Sequence, residues 1–263
     1  MTKNQFTIIT LFPNAFNDFM QTSIIKRAIT KKQISIDIID IRNFANNKHQ
    51  QVDDAPYGGG NGMVLQAMPV INAINSVKLK YPEAKTILLS PQGQQWNQQL
   101  AYKYNQKNIN YILVCGHYEG IDERIMSYID EEISIGDYVL TGGELPAMVI
   151  IDCITRLIPN VIQHQSHLND SFNNSLLDYP TYTRPEEVLG MKVPEVLIGG
   201  HHEKIAEYRH QQALINTYKK RIDLFKKYQL SAKDKIIIEE YKSSLKKKIN
   251  ERRNKTCKMQ LLN

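Results

Sequence analysis

Residues 110–146, NYILVCGHYEGIDERIMSYIDEEISIGDYVLTGGELP, carry two apolar runs, and each breaks into a glycine-containing turn crowded with acids. Tyr111 to Cys115 is a short β-branched and apolar run ended by Gly116; Ile133 to Leu140 repeats the plan and ends at Gly142 and Gly143. In open α/β sheets ligands bind where strands end, because the turns and the opening helices leave a crevice lined by free backbone groups. The stretch therefore predicts two strands of one sheet with a ligand pocket at their ends.

Working outward, Phe6 to Leu11, Ile34 to Ile39 and Thr86 to Ser90 are further strand candidates, and Met68 to Leu79, Trp96 to Asn105, Ile121 to Ile129 and Glu144 to Leu157 are helix candidates. This alternation predicts an α/β domain with a largely parallel sheet covered by helices. Ser90-Pro91-Gln92-Gly93 is a third turn of small residues at a strand end. Any one such turn is ordinary turn chemistry; three in one sheet point to one pocket. None matches G-x-G-x-x-G or G-x-x-x-x-G-K-[ST], which argues against a dinucleotide or P-loop site. The run Asp53 to Met63, DDAPYGGGNGM, offers four glycines and an aromatic, either for close backbone approach to a ligand or as a lid. Glu119, Asp122 and Glu123 after Gly116, with Glu131, Glu132 and Asp137, suit a cationic ligand or Mg²⁺ better than a bare phosphate; the plainer reading of Asp122 and Glu123 is charge at a helix start. Arg156 near the end of an apolar helix reads by itself as a C-terminal cap, and Asp170 as an N-cap.

Between Asn160 and Arg184 the chain is polar and aperiodic, which predicts a mobile connector; beyond Pro185 strand signals fade, and Glu203 to Lys220 and Ala232 to Lys248 have helical apolar spacing. The net charge of +6 sits in the tail, since Lys242 to Asn263 holds eight Lys or Arg and one acid. The body is near neutral, and the tail reads as a solvated, partly disordered end. Cys115, Cys153 and Cys257 form no C-x-x-C pair, which disfavours a disulfide framework or zinc site and favours a reducing compartment. The start lacks a signal-peptide apolar region and no run is long enough to span a membrane, so a soluble cytoplasmic protein is expected, with no membrane partner.

Seven segments, PYGGGNGM, LLSPQGQ, LVCGHYEGIDER, EEISIGDYVLTGGELPAM, IDCITRLIP, NDSFNNSLLDYPTYTRPEE and GGHHEKIAEYR, occur in this order, and from Phe6 to about Leu230 the chain resembles the bacterial tRNA (guanine-N1)-methyltransferases of TrmD type, in the SPOUT class. The resemblance implies a trefoil-knotted parallel-sheet domain at 1–162 that binds S-adenosylmethionine, a flexible linker at 163–175, and a small helical tRNA-binding domain with the basic tail at 176–263. It implies cofactor contacts from Leu89, Ser90, Pro91 and Gly116, from Ser134, Ile135, Gly136, Asp137, Tyr138, Val139 and Leu140, and from Gly142, Gly143 and Pro146. Asp170 matches the family's general base, Arg156 its arginine, and Glu119 an acid near cofactor and target base. Tyr57, Gly58 and Gly59, with Thr183 and Arg184, are candidates for tRNA contact.

The family's reaction moves a methyl from S-adenosylmethionine to N1 of guanine 37, next to the anticodon; its members are homodimers with shared active sites and depend on Mg²⁺. Departures are few: His117 stands where some members have Arg, Asn61 where others have Pro, and Asn160 where Gly is frequent. The alternatives are a SPOUT enzyme for another RNA, against which the GHYEGIDER segment argues, and a non-catalytic RNA-binding module, against which the intact set Glu119, Arg156 and Asp170 argues.

Overall fold

The computed structural model describes residues 4–105, 109–162, 171–172 and 175–260, excluding the side chains of 248 and 250–260. Strand β1 (Asn4–Thr10) is buried at every residue, runs through a 3-10 turn at Pro13–Phe16 into helices α1 (Asn17–Gln21) and α2 (Ser23–Thr30), and is followed by β2 (Ile34–Asp40). A two-residue pair, β3 (Asp53–Asp54) and β4 (Val64–Leu65), closes the glycine-rich loop, and α3 (Ala67–Lys80) leads to β5 (Lys85–Gln95). Then come α4 (Gln98–Tyr104), β6 (Ile109–Cys115), a 3-10 helix at Glu123–Tyr128, β7 (Glu131–Ser134) and α5 (Glu144–Thr155).

The sheet order is β2-β1-β6-β5-β7 and every ladder in it is parallel. Parallel strands buried on both faces read as continuous apolar runs, which is why these segments were legible. Phe6, Ile8, Leu113, Ile87 and Leu89 pack on one face with Ile25, Leu100, Ile150 and Ile154 of α2, α4 and α5; Ile9, Ile112, Val114 and Leu88 pack on the other with Val70, Ala73 and Ile74 of α3. The result is an α/β fold in which helices cover both faces of a parallel sheet.

Several boundaries differ from the sequence reading. The expected strand Ile133 to Leu140 stops at Ser134, because the Ser134 hydroxyl donates to Gly136 O (3.1 Å) and accepts from Gly136 N (3.2 Å), turning the chain at a residue with φ 155°. The expected helix Ile121 to Ile129 is the 3-10 helix Glu123–Tyr128, started by Asp122, whose carboxylate accepts from Arg124 N. Helices α1 and α2 were not foreseen; they are short and separated by an extended Thr22. After Leu89 strand β5 bulges, so that Gln94 and Gln95 pair again with Ile133 and Ser134, and Trp96 N donates to Ser134 O at 2.7 Å. The bulged segment lies so close to β7 that a Cβ on Gly93 would stand 2.3 Å from Ile133 N and 2.4 Å from Glu132 C.

The chain divides into two compact units, residues 1–167 and 168–263. In the second, a two-residue hairpin of β8 (Glu187–Val188) and β9 (Met191–Lys192) turns through Leu189 and Gly190, both at positive φ, and is followed by α6 (His202–Lys220), α7 (Ile222–Phe225) and α8 (Ala232–Gln260). Leu176, Ala213, Leu214 and Ile238 form its core, and Leu177 N donates to the Thr217 hydroxyl at 2.8 Å, fixing the entering chain on α6. The tail expected to be partly disordered continues α8 as helix to Gln260, in keeping with the helix-forming Lys, Arg, Leu and Glu that compose it.

Helix α8 begins with a reciprocal capping box: Ser231 N donates to Asp234 Oδ2 (2.9 Å) and Asp234 N to the Ser231 hydroxyl (3.2 Å). Buried Asp234 also meets His210 Nε2 of α6 at 2.7 Å, so one carboxylate caps one helix and ties it to another. Burial raises the Asp234 carboxyl, but the bonds from His210 and Ser231 outweigh it and hold it below the ordinary range. A depressed folded-state pKa stabilises above the unfolded value of about 4 and is lost as pH falls through the folded one. Asp234→Ala is expected to destabilise this unit by about 1–2 kcal/mol near neutrality, with the difference from the parent shrinking below about pH 4 in urea titrations.

Candidate active site

The bulge of β5 and the ends of β6 and β7 converge on a cavity of about 470 Å³, within the range usual for small-ligand sites. It is lined by Leu88 to Gln92 at the bulge of β5, Gly116 to Ile121 after β6, Glu132 to Gly136 at the end of β7, and Tyr138 to Gly143 with Pro146 at the start of α5. Of the residues expected to hold cofactor, it gathers Leu89, Ser90, Pro91, Gly116, Ser134, Ile135, Gly136, Tyr138, Val139, Leu140, Gly142, Gly143 and Pro146. Asp137 is the exception: it is exposed and outside the lining, because the turn at Gly136 points the next residue to solvent.

The walls meet by backbone contact. Gly143 N donates to Gly116 O at 2.9 Å, and a Cβ on Gly143 would stand 2.7 Å from Cys115 Cα, so only glycine allows this approach of the loop to the end of β6. Buried Glu144 opens α5, and its Oε1 accepts from the Thr10 hydroxyl at 2.7 Å. The Cys115 thiol is pushed well up, first by its complete burial and then by the Glu144 carboxylate, which makes it an inert core residue rather than a nucleophile.

Charge in the lining has one sign. Glu119, Glu123 and Glu132 border the cavity and, among the described residues, no Lys or Arg does, so its field favours a cation or a zwitterion with a positive centre over a phosphate. Asp122 does not join them; Arg124 engages it through two side-chain bonds (2.9 and 2.6 Å), and hydrogen bonding to Arg124 holds its carboxyl below the usual range. Among the described residues no group of three or more His, Cys, Asp or Glu side chains is gathered as for a metal ion.

The glycine-rich loop joins this site at its base. Glu119 N donates to Met63 O (3.0 Å), Leu65 N to Gly120 O (3.1 Å), and Gly62, at φ 91°, lies against the Glu119 side chain. The base of the loop is thus tied to the turn that carries Glu119, while at its tip Tyr57 is fully exposed and a Cβ on Gly58 or Gly59, both at positive φ, would meet nothing within 4 Å. Glu119 is thus in the cavity and Tyr57 at a loop tip. Arg156 is the C-cap residue of α5 and outside the lining, while Asp170 lies outside the described residues. Thr183 and Arg184 belong to the second unit, where they line a separate cavity of about 650 Å³ with Tyr179, Tyr182 and Arg209. Arg209 stacks 4.9 Å over the Tyr179 ring. The sequence reading did not single out Arg209 or Tyr179, though both stand in quoted motifs, and it gave Glu144 no role.

Comparison with known proteins bears on this geometry. A 54% identical relative from Mycoplasma mycoides subsp. mycoides SC covers 220 residues, 84% of this chain and 91% of its own length. A relative from Spiroplasma kunkelii is 53% identical over 249 residues, 95% of this chain and 92% of its own, and one from Staphylococcus aureus (strain MRSA252) is 49% identical over 241, 91% and 98%. Each of the three is named tRNA (guanine-N(1)-)-methyltransferase. The family profile described as tRNA (Guanine-1)-methyltransferase TrmD matches residues 4–227, a span that takes in every wall of the cavity and the whole of the second cavity's lining. With a profile matching most of its length and relatives near half identical over nearly all of theirs, the chain belongs to the tRNA (Guanine-1)-methyltransferase TrmD family.

Proposed function

We propose that this protein transfers a methyl group from S-adenosylmethionine to N1 of guanine 37 in tRNA. The observation that carries the proposal is the cavity at the bulge of β5 and the ends of β6 and β7: its turns are rich in glycine, three carboxylates border it, and among the described residues no Lys or Arg lines it. Backbone N–H and C=O groups suit the edge of an adenine ring, and the carboxylates suit the sulfonium and ammonium of the cofactor. S-adenosylmethionine, when bound, supplies a methyl group already activated on a positive sulfur.

The chain's own residues handle the proton and the charge. Neutral guanine carries a proton on N1, so a base must take it; Asp170 fills that role, with a gain of about 10²- to 10⁴-fold. Loss of the proton pushes charge onto O6, and the Arg156 guanidinium stabilises it. Glu119 stands between the cavity and the glycine-rich loop, a position that supports a role near both cofactor and base. Tyr57, Gly58 and Gly59 at the exposed tip, and Thr183 and Arg184 in the cationic cavity, contact the tRNA, whose target base must leave its stack. The resemblance implies Mg²⁺, for which the described residues offer no ligand cluster.

The finer fold belongs to the same proposal. A trefoil knot is supported by the tight approach of the β5 bulge to β7 at Gly93 and by the return of the chain from β7 past Gly116. A homodimer with shared active sites is supported by the apolar face that α5 and the loop before it leave exposed, with Val139 87% and Leu145 57% accessible and Val149 one turn on. Residues 1–162 serve as the cofactor-binding domain, 163–175 as a flexible linker and 176–263 as the tRNA-binding domain. No helix among the described residues is long and apolar enough to cross a membrane, which agrees with a place in the cytoplasm.

Labelled methyl incorporation tests the function: transfer is expected to a transcript with G37 and not to its A37 counterpart. Equal incorporation into both would refute guanine 37 as the target.

A further inference from the structure

The cavity of about 650 Å³ in the second unit differs in kind from the strand-end cavity. Among the described residues its lining sets two guanidiniums, Arg184 and Arg209, against the single carboxylate of Glu186, so it is net positive where the first cavity is bordered by acids alone. Neither guanidinium has a carboxylate partner among the described residues. Arg209 is held instead by a ring, its guanidinium carbon lying 4.9 Å from the centre of Tyr179. A cation seated on a π face keeps its charge and N–H donors for a further partner.

The rest of the lining offers flat and apolar surface, with Tyr182 48% and Ile198 49% exposed. Tyr179 to Arg184 belong to no helix or strand, and among the described residues none of their backbone N–H groups donates to a protein acceptor. Ring faces, unpaired guanidiniums and free donors are what single-stranded nucleic acid uses, its bases stacking on aromatic side chains and its phosphates taking the cations. A free phosphate would leave the rings without a partner, and an apolar peptide would leave the cations without one. A nucleotide uses both.

We propose that this cavity seats one unstacked nucleotide of the tRNA other than guanine 37, with its base on the Tyr182 ring and its phosphate on Arg184 and Arg209. Tyr179, which carries Arg209 on its face, serves as the seat of that cation. The assignment rests on tRNA as the substrate, and it gives tasks to Tyr179, Tyr182 and Arg209. It also divides the labour by charge. The acid-bordered cavity suits a sulfonium and disfavours phosphate, so hold on the RNA backbone falls to the second unit.

The test is filter binding of the full-length protein to full-length tRNA transcripts, each lacking the base at one anticodon-loop position. Apart from position 37, one position is expected at which loss of the base weakens binding about tenfold or more. In Tyr182→Ala that penalty is expected to fall below about twofold, since the ring the base rests on is gone. Tyr182→Phe, which gives up only the hydroxyl's contact with Tyr208, is expected to keep it. Arg209→Gln is expected to reduce the slope of log affinity against log salt by about 0.7, and Arg209→Lys to leave it unchanged. Equal affinity for all transcripts outside position 37, or a penalty that survives in Tyr182→Ala, overturns the assignment. A salt slope unmoved by Arg209→Gln overturns the phosphate contact. A parent that shows the penalty but transfers no methyl counts against the functional reading alone, and one that methylates G37 without any such penalty counts against the cavity alone.

Discussion

Asp170→Asn is expected to bind S-adenosylmethionine as the parent does and to lose methyl transfer by at least about 10²-fold, the usual contribution of a general base. The substitution keeps size and shape and removes only the ability to take the N1 proton. Calorimetric titration with the cofactor and single-turnover transfer to tRNA separate the two effects. Because the base acts on guanine after the cofactor is seated, the loss belongs in the transfer step and not in cofactor affinity. Near-normal turnover in this variant would remove Asp170 from the mechanism, and weakened cofactor binding would assign it a structural task.

The second large effect concerns the close approach of the β5 bulge to β7. Gly93→Ala places a methyl 2.3 Å from Ile133 N and 2.5 Å from Glu132 O, atoms of a paired strand that have no side-chain freedom with which to yield. The bulge must lift, taking with it Ser90, Pro91 and Gln92 of the cavity wall. A loss of about 3 kcal/mol or more is expected, together with loss of cofactor binding. Gly116→Ala is the control, since the nearest atom a Cβ would meet there is 3.7 Å away, and its denaturation midpoint is expected to stay near that of the parent. Equal midpoints for Gly93→Ala and the parent would contradict the close approach.

Much of the first unit was legible because its strands are buried on both faces and therefore read as unbroken apolar runs stopped by glycine or proline. The cavity was legible for the same reason, as those stops fall side by side at the strand ends. What periodicity missed has local causes. Tyr138, Val139 and Leu140 look like more strand, but the Ser134 hydroxyl and Gly136 turn the chain first, and the same turn leaves Asp137 in solvent. Glu144 drew no reading of its own from the sequence; its burial and its bond from Thr10 are what set it apart. Nor does Gly93 announce itself in sequence, because what it lets past is a backbone that joins it from forty residues away. Guanine, methyl donor and catalytic roles came from the motifs' resemblance to a family and not from pattern.

The central claim is that this chain methylates one atom of one base. The measurement that tests it most directly is mass-spectrometric mapping of full-length tRNA bearing G at 36 and 37, after incubation with the purified protein and S-adenosylmethionine. A single methyl on N1 of G37 is the predicted result. A methyl at another base or another atom, or unmodified tRNA from protein that binds the cofactor, would contradict it.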